Sequence, residues 1–172
     1  MTPRVTVVGG GLAGSEAAWQ LASRGIQIAL HEMRPVTTTP AHKTDKLAEL
    51  VCSNTFKSTE LTNAHGLLKA EMRLLGSLIL ASADEARVAA GSALAVDRDA
   101  FSGSVTEQIA GESRIPVVRE EVTGIPTPTD IAAGPPHSQT LRPAIRARTR
   151  LGRPALYGSQ PPTAHPPSHA TP

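Results

Sequence analysis

The first 34 residues of this 172-residue chain constrain its fold more than any other stretch. Arg4-Val5-Thr6-Val7-Val8 reads as a buried strand. Gly9-Gly10-Gly11-Leu12-Ala13-Gly14 follows at once. Residues 15–24 read as a helix, which Gly25 closes. Residues 26–30 form a second apolar run, and Glu32 sits just past its end. Strand, glycine-rich turn, helix, strand and acid in that order predict the βαβ opening of a doubly wound, Rossmann-like α/β domain.

Dinucleotide chemistry needs these residue types at this spacing. Gly9 allows a tight turn out of the strand. Gly11 lets a pyrophosphate approach the backbone, and Gly14 lets the helix lie close to the sheet. The amides of the helix start, at Leu12 and Ala13, face the phosphates along the helix dipole. Glu32 lies about 20 residues on, where a carboxylate accepts from ribose hydroxyls. Gly9, Gly10, Gly11, Leu12, Ala13, Gly14 and Glu32 are therefore the candidate cofactor residues. The alternative is a glycine-rich turn in an unrelated α/β protein.

Composition narrows the class. Aromatic residues make up 2% of the chain, which argues against base stacking as a mode of nucleic-acid binding. No apolar stretch approaches the ~20 residues that span a bilayer. The chain enters a strand with no basic region and long apolar segment ahead of it, and its single cysteine, Cys52, excludes an internal disulfide. A cytoplasmic protein without a membrane partner is the expectation. Charge is uneven: residues 1–128 hold twelve basic and fourteen acidic side chains, and residues 129–172 hold five arginines and one acid, Asp130.

The pattern predicts two regions. Within 1–128, Met33-Arg34-Pro35 leads into a polar loop, and residues 46–51 suit a helical turn. Residues 63–86 read as one long helix, with Leu67, Leu68, Met72, Leu75, Leu78 and Ile79 on one side. Residues 93–96 suit a strand and 101–111 a helix, with Asp99 as a possible cap. Residues 115–122 suit a further strand. Residues 129–172 hold nine prolines, and apolar periodicity ends at Ile145. Such a segment does not bury enough surface to offset its ordering entropy, so a disordered tail is expected.

Longer segments carry a family resemblance. They are Gly9 to Glu16, Glu32-Met33-Arg34-Pro35, Thr39-Pro40-Ala41-His42, Leu47-Ala48-Glu49-Leu50-Val51-Cys52-Ser53-Asn54, Gly66-Leu67-Leu68-Lys69-Ala70-Glu71-Met72-Arg73, Gly76 to Leu80, and Ala95-Val96-Asp97-Arg98-Asp99. In order, and almost without gaps to about Glu121, they resemble the folate- and FAD-dependent tRNA uracil-5-methyltransferases. By fold that family is similar to the larger GidA-type tRNA-modifying flavoproteins. The resemblance implies a partial FAD-binding domain with the start of an inserted domain over 1–128. It implies methylation of a T-loop uridine in tRNA. 5,10-methylenetetrahydrofolate would supply the carbon, and FAD reduced by NAD(P)H would supply the electrons.

Cys52 matches a family cysteine implicated in covalent chemistry. Uracil C5 is a poor nucleophile until a thiolate adds at C6, and a nearby cation or helix start favours the thiolate. Lys46 and Lys57 are near in sequence. By residue type alone, a lone cysteine is more often a small buried hydrophobe. Arg34 suits either a cofactor phosphate or an exposed position. His42 suits a surface loop, Asp97 and Asp99 suit caps or turns, and no cluster has metal-ligand spacing.

The family runs to well over twice this length; the close match runs to about Glu121, and beyond residue 135 the sequence is not expected to follow the family. The resemblance implies re-entry into the FAD domain through a strand, of which Ile131-Ala132-Ala133-Gly134-Pro135 is a faint version. A chain of this length is expected to be inactive alone. Two alternatives stand: a fragment of another FAD oxidoreductase, or a non-catalytic nucleotide-binding module whose basic tail binds RNA or a protein. Oligomeric state is not readable from the sequence.

Overall fold

The computed structural model describes residues 4–125, 129–131, 141 and 143–145. Strand β1 (Arg4–Val8) is followed by helix α1 (Leu12–Ala22) and strand β2 (Gln27–Glu32). β1 and β2 pair in parallel, from Arg4 opposite Gln27 to Val8 opposite His31. Val7, Val8, Ile28, Ala29 and Leu30 are buried without alternation, as parallel strands covered on both faces require.

Two later strands extend this sheet. β6 (Val117–Arg119) lies parallel to the end of β2, and β7 (Thr129–Ile131) lies parallel to β1, giving the order β6-β2-β1-β7. β7 falls beyond the expected boundary at residue 128. Pairing Thr6 with Thr129 and Val8 with Ile131 satisfies the free edge of β1, so the sheet does not stop where the composition changes. Leu141 is also buried, and residues 143–145 have helical backbone. The rest of the expected disordered tail lies outside the described residues.

Between β2 and β6 the chain builds a second layer. β3 (Thr55–Ser58), β5 (Ala93–Val96) and β4 (Arg87–Val88) form a small antiparallel sheet in the order β3-β5-β4. Helices α2 (Ala64–Leu74), α3 (Leu78–Glu85) and α4 (Arg98–Gly111) complete it. One core joins the layers: Val7, Ile28 and Leu30 of the parallel sheet meet Ala18 and Ala22 of α1. These meet Leu78 and Ala83 of α3 and Phe101, Val105 and Ile109 of α4. Phe56 packs edge-on to Phe101, with ring centroids 5.4 Å apart.

The long helix expected over 63–86 is two helices. Gly76 adopts φ +69°, a left-handed conformation that ends α2, and Ser77 caps α3 by accepting from the Leu80 amide. The break also undoes the expected apolar side. Leu78 and Ile79 are buried, but Leu67, Leu68 and Leu75 are half or more exposed, and α2 turns Gly66 and Lys69 inward. The expected helical turn over 46–51 is absent, because Ala48 sits at φ +53°. The cap of α4 is Asp97, which accepts from the Ala100 amide; Asp99 lies within the first turn. Among the described residues no helix is long and apolar enough to cross a membrane.

Candidate functional site

The glycine motif is the turn between β1 and α1 together with the first turn of the helix. Gly9 takes φ +104°, a conformation open to glycine, and donates to the His31 carbonyl at 2.8 Å. Gly11 caps α1 with no side-chain hydrogen bond, and Gly14 is buried at its base. α1 starts at Leu12, ahead of the expected residue 15. The amides of Leu12, Ala13 and Gly14 therefore have no carbonyl within the helix to donate to, and they aim outward from its N-terminus.

Gly10 and Gly11 are glycines for opposite reasons. A Cβ on Gly10 would lie 2.5 Å from Leu47 Cδ2 and 2.9 Å from Glu32 Oε2, so the protein itself fills the space. A Cβ on Gly11 would meet no atom within 4 Å. The space over Gly11 at the helix N-terminus is thus open, as the close approach of a phosphate-bearing group requires.

Glu32 ends β2 rather than following it, and it is 5% exposed. Its Oε2 accepts from the Gly10 amide at 2.9 Å. Its Oε1 accepts from the Arg34 amide at 3.0 Å and from Arg34 Nε at 2.8 Å. Burial raises the carboxyl pKa, but the hydrogen bonds and charge of Arg34 and the Gly10 amide together outweigh it. The group is held below the usual carboxylate range.

Arg34 is 2% exposed, so the exposed position open to it in sequence does not hold. Its Nη1 donates to Glu49 Oε2 at 2.9 Å and to the Thr44 carbonyl at 3.2 Å. Glu49 also accepts from the amides of Lys43 and Thr44 and from the Thr44 hydroxyl. Burial pushes its pKa up, and these donors with Arg34 bring it below the ordinary value. His42 lies beside the cluster with its pKa lowered by burial and by the Arg34 charge. The segment that carries Glu49 closes on the glycine turn: the Ala48 amide donates to the Gly10 carbonyl at 2.9 Å, and Leu47 packs on Gly10.

Cys52 is exposed, in the bend between this loop and β3. Its backbone carbonyl accepts from Arg98 Nη2, at the start of α4, at 3.4 Å. Lys46, near in sequence, turns to Asp99 instead. Glu49, Leu47 and Arg98 belong to the site although their residue types do not mark them. Only their place within the family-like segments singles them out. Among the described residues no group of three or more His, Cys, Asp or Glu side chains is placed to hold a metal.

A parallel βαβ unit with an open glycine cradle and a buried acid at the end of its second strand is a dinucleotide-binding α/β fold. The chain belongs to the GidA family: the family described as Glucose inhibited division protein A matches residues 4–137. Two relatives are named methylenetetrahydrofolate–tRNA-(uracil-5-)-methyltransferase TrmFO. That of Anoxybacillus flavithermus is 58% identical over 154 residues, covering 89% of this chain and 35% of the relative. That of Bacillus licheniformis is 56% identical over 158 residues, covering 91% of this chain and 36% of the relative. The chain therefore spans about a third of the length of these curated relatives. A GidA-related protein from Thermus thermophilus aligns over 73% of this chain and 42% of its own, at 17% identity and a TM-score of 0.39.

Proposed function

We propose that this chain is the FAD-binding N-terminal part of a folate-dependent tRNA uracil-5-methyltransferase. The observation that carries the cofactor reading is Gly11. The fold places no atom within 4 Å of a Cβ there and gives the residue an ordinary φ of −74°. Gly103 and Gly111 of α4 are equally open, but only Gly11 leaves that space at a helix N-terminus, beside the free amides of Leu12 and Ala13, where a phosphate would approach the backbone.

The residues divide the work. The amides of Leu12 and Ala13 receive the pyrophosphate, beside the positive end of the α1 dipole. Glu32, ionised and anchored by Gly10 and Arg34, accepts from the adenosine ribose. Gly9 sets the turn and Gly14 the packing of the helix. When bound, FAD supplies the redox chemistry, with NAD(P)H as reductant and methylenetetrahydrofolate as carbon donor. Cys52, which is exposed, would be the nucleophile that adds to C6 of the T-loop uracil, a role supported by the family resemblance. Addition there makes C5 nucleophilic, and later loss of the C5 proton expels the thiolate. The partial FAD domain, with the start of the insertion, runs at least through β7 at Ile131. Methyl transfer itself belongs to a family-length protein, of which this chain spans about a third.

The test is titration of the purified chain with FAD, followed by quenching of flavin fluorescence, alongside Gly11→Ser. Serine is a better helix cap than glycine, so the variant folds at least as well. Its side chain fills the open space. Saturable uptake by the native chain and its loss in the variant are expected. A folded native chain that takes up no flavin overturns the reading.

A further inference from the structure

Arg34 is buried between two carboxylates, and one of them, Glu49, has been given no contact with the nucleotide. The guanidinium is shared: Nε donates to Glu32 at 2.8 Å and Nη1 to Glu49 at 2.9 Å. Glu49 is fixed independently of Arg34 by the Lys43 amide at 2.8 Å, the Thr44 amide at 3.2 Å and the Thr44 hydroxyl at 3.0 Å. Arg119 brings a second guanidinium near this loop, but its Nη1 donates to the carbonyls of Arg34 and Asp45 rather than to either carboxylate.

This division has a consequence at Glu32. Guanidinium and carboxylate pair best with two parallel hydrogen bonds. Here Glu32 receives only one from the side chain, on Oε1, while Oε2 faces the Gly10 amide. Glu49 takes the guanidinium at Nη1, outside the Nε and Nη2 edge that forms paired bonds, and so fixes the orientation of the group. Two carboxylates and one guanidinium also leave the cluster net negative. Without the Glu49 charge, the cluster would be neutral, and Arg34 would be free to turn toward Glu32 or toward an incoming anion.

We propose that Glu49 is a positioning residue which, through Arg34, keeps the ribose end of the site negative, so that it takes a nucleotide with a free 2′-hydroxyl and rejects one with a 2′-phosphate. This rests on the nucleotide reading of Glu32 above. The selectivity is electrostatic: a phosphate dianion meets two carboxylates and a guanidinium already spent on both. A ribose hydroxyl, by contrast, meets an ionised acceptor.

The experiment measures affinities of the full chain for ADP-ribose and for 2′-phospho-ADP-ribose by calorimetry. The native chain is expected to favour ADP-ribose. Glu49→Gln should shift the ratio of the two affinities toward the phosphorylated ligand by roughly tenfold, about 1.4 kcal/mol. Glu49→Asp, which keeps the charge, should retain the native ratio. The double variant Arg34→Gln with Glu49→Gln leaves Glu32 as the remaining charge, and it too should keep the native preference. A purely structural role would weaken both ligands together and leave the ratio unmoved. If Glu49→Gln does not fold, the double variant decides, and loss of its preference overturns the proposal. An unchanged ratio in a folded Glu49→Gln also overturns it. A native chain that binds neither ligand overturns the nucleotide reading itself, whereas binding without the Glu49 effect overturns only the positioning role.

Discussion

The Gly10 amide donates to Glu32 Oε2 at 2.9 Å, joining the end of the second strand to the turn after the first. This contact sets the distance between the glycine cradle and the acid, and it leaves no space at Gly10 for a side chain. Gly10→Ala is expected to lower stability by about 1–3 kcal/mol, because the new methyl group meets Leu47 and Glu32 in a packed site. Thermal unfolding of the two chains checks this. A melting temperature unchanged from the native chain would show that the loop from Leu47 is not packed on the turn.

Arg34→Met should be the more damaging change. It leaves Glu32 and Glu49 facing each other, with Glu32 buried, without the cation between them. Breaking a buried ion pair from one side typically costs about 3–5 kcal/mol. Denaturant unfolding measures the loss. Glu49→Gln should cost less, since its amide oxygen still accepts from the Lys43 and Thr44 amides.

Acid should act through the same two carboxylates. Both have pKa values below the usual range in the folded chain, Glu32 and Glu49 alike through their hydrogen bonds and Arg34. Their contribution to stability is complete above the unfolded-state values and is lost as pH falls through the lower, folded-state values. Stability measured from neutral pH downward should therefore decline below about pH 4. The Glu32→Gln, Glu49→Gln double variant should be less stable at pH 7 and show a flatter acid limb. An acid limb as steep as the native one would assign the decline to other groups.

Cys52 should be dispensable for the fold. It is exposed, and its link to Arg98 runs through the backbone carbonyl. Cys52→Ala should change unfolding free energy by less than about 0.5 kcal/mol. In the native, folded chain one thiol equivalent should react with a thiol-specific reagent. Resistance of the thiol until the chain unfolds would contradict its exposed position.

The leucines of α2 offer a last test. Leu74 is 89% exposed and Leu75 67% exposed, so neither contributes a buried side chain. Leu74→Lys should leave the melting temperature essentially unchanged, within about 0.5 kcal/mol of stability. It should also reduce self-association at high concentration, read by light scattering. A large drop in stability would mean that the leucine packs within the chain.

Local sequence was enough to place β1, α1 and β2. Strand burial, glycine conformation and helix start are written in neighbouring residues, and the contacts they make are near in the chain. The same holds for β5, and for α4 to within three residues at its start. It fails where the deciding contact is distant. Leu67 and Leu68 share helical spacing with Leu78 and Ile79, yet only the last two are buried, because Gly76 turns the chain and α3 packs on α1 and α4; of the expected α2 positions, Met72 packs against the core. Composition after residue 128 gave no sign of β7, and only the family resemblance implied a re-entering strand near Ile131; its reason to form is the open edge of β1, over 120 residues away. Glu32 was legible as an acid at the end of the second strand; that it is buried, anchored by Gly10 and shares Arg34 with Glu49 was not. Those bonds join positions 10, 32, 34 and 49, which are brought together only when the loop bearing Leu47 and Ala48 closes on the glycine turn. Sequence by itself determined the dinucleotide-binding opening, since that motif is a short-range solution to a short-range problem. Tertiary structure decided which side chains are buried beside it and how their charges are shared, since burial and electrostatic pairing depend on what the rest of the chain packs against.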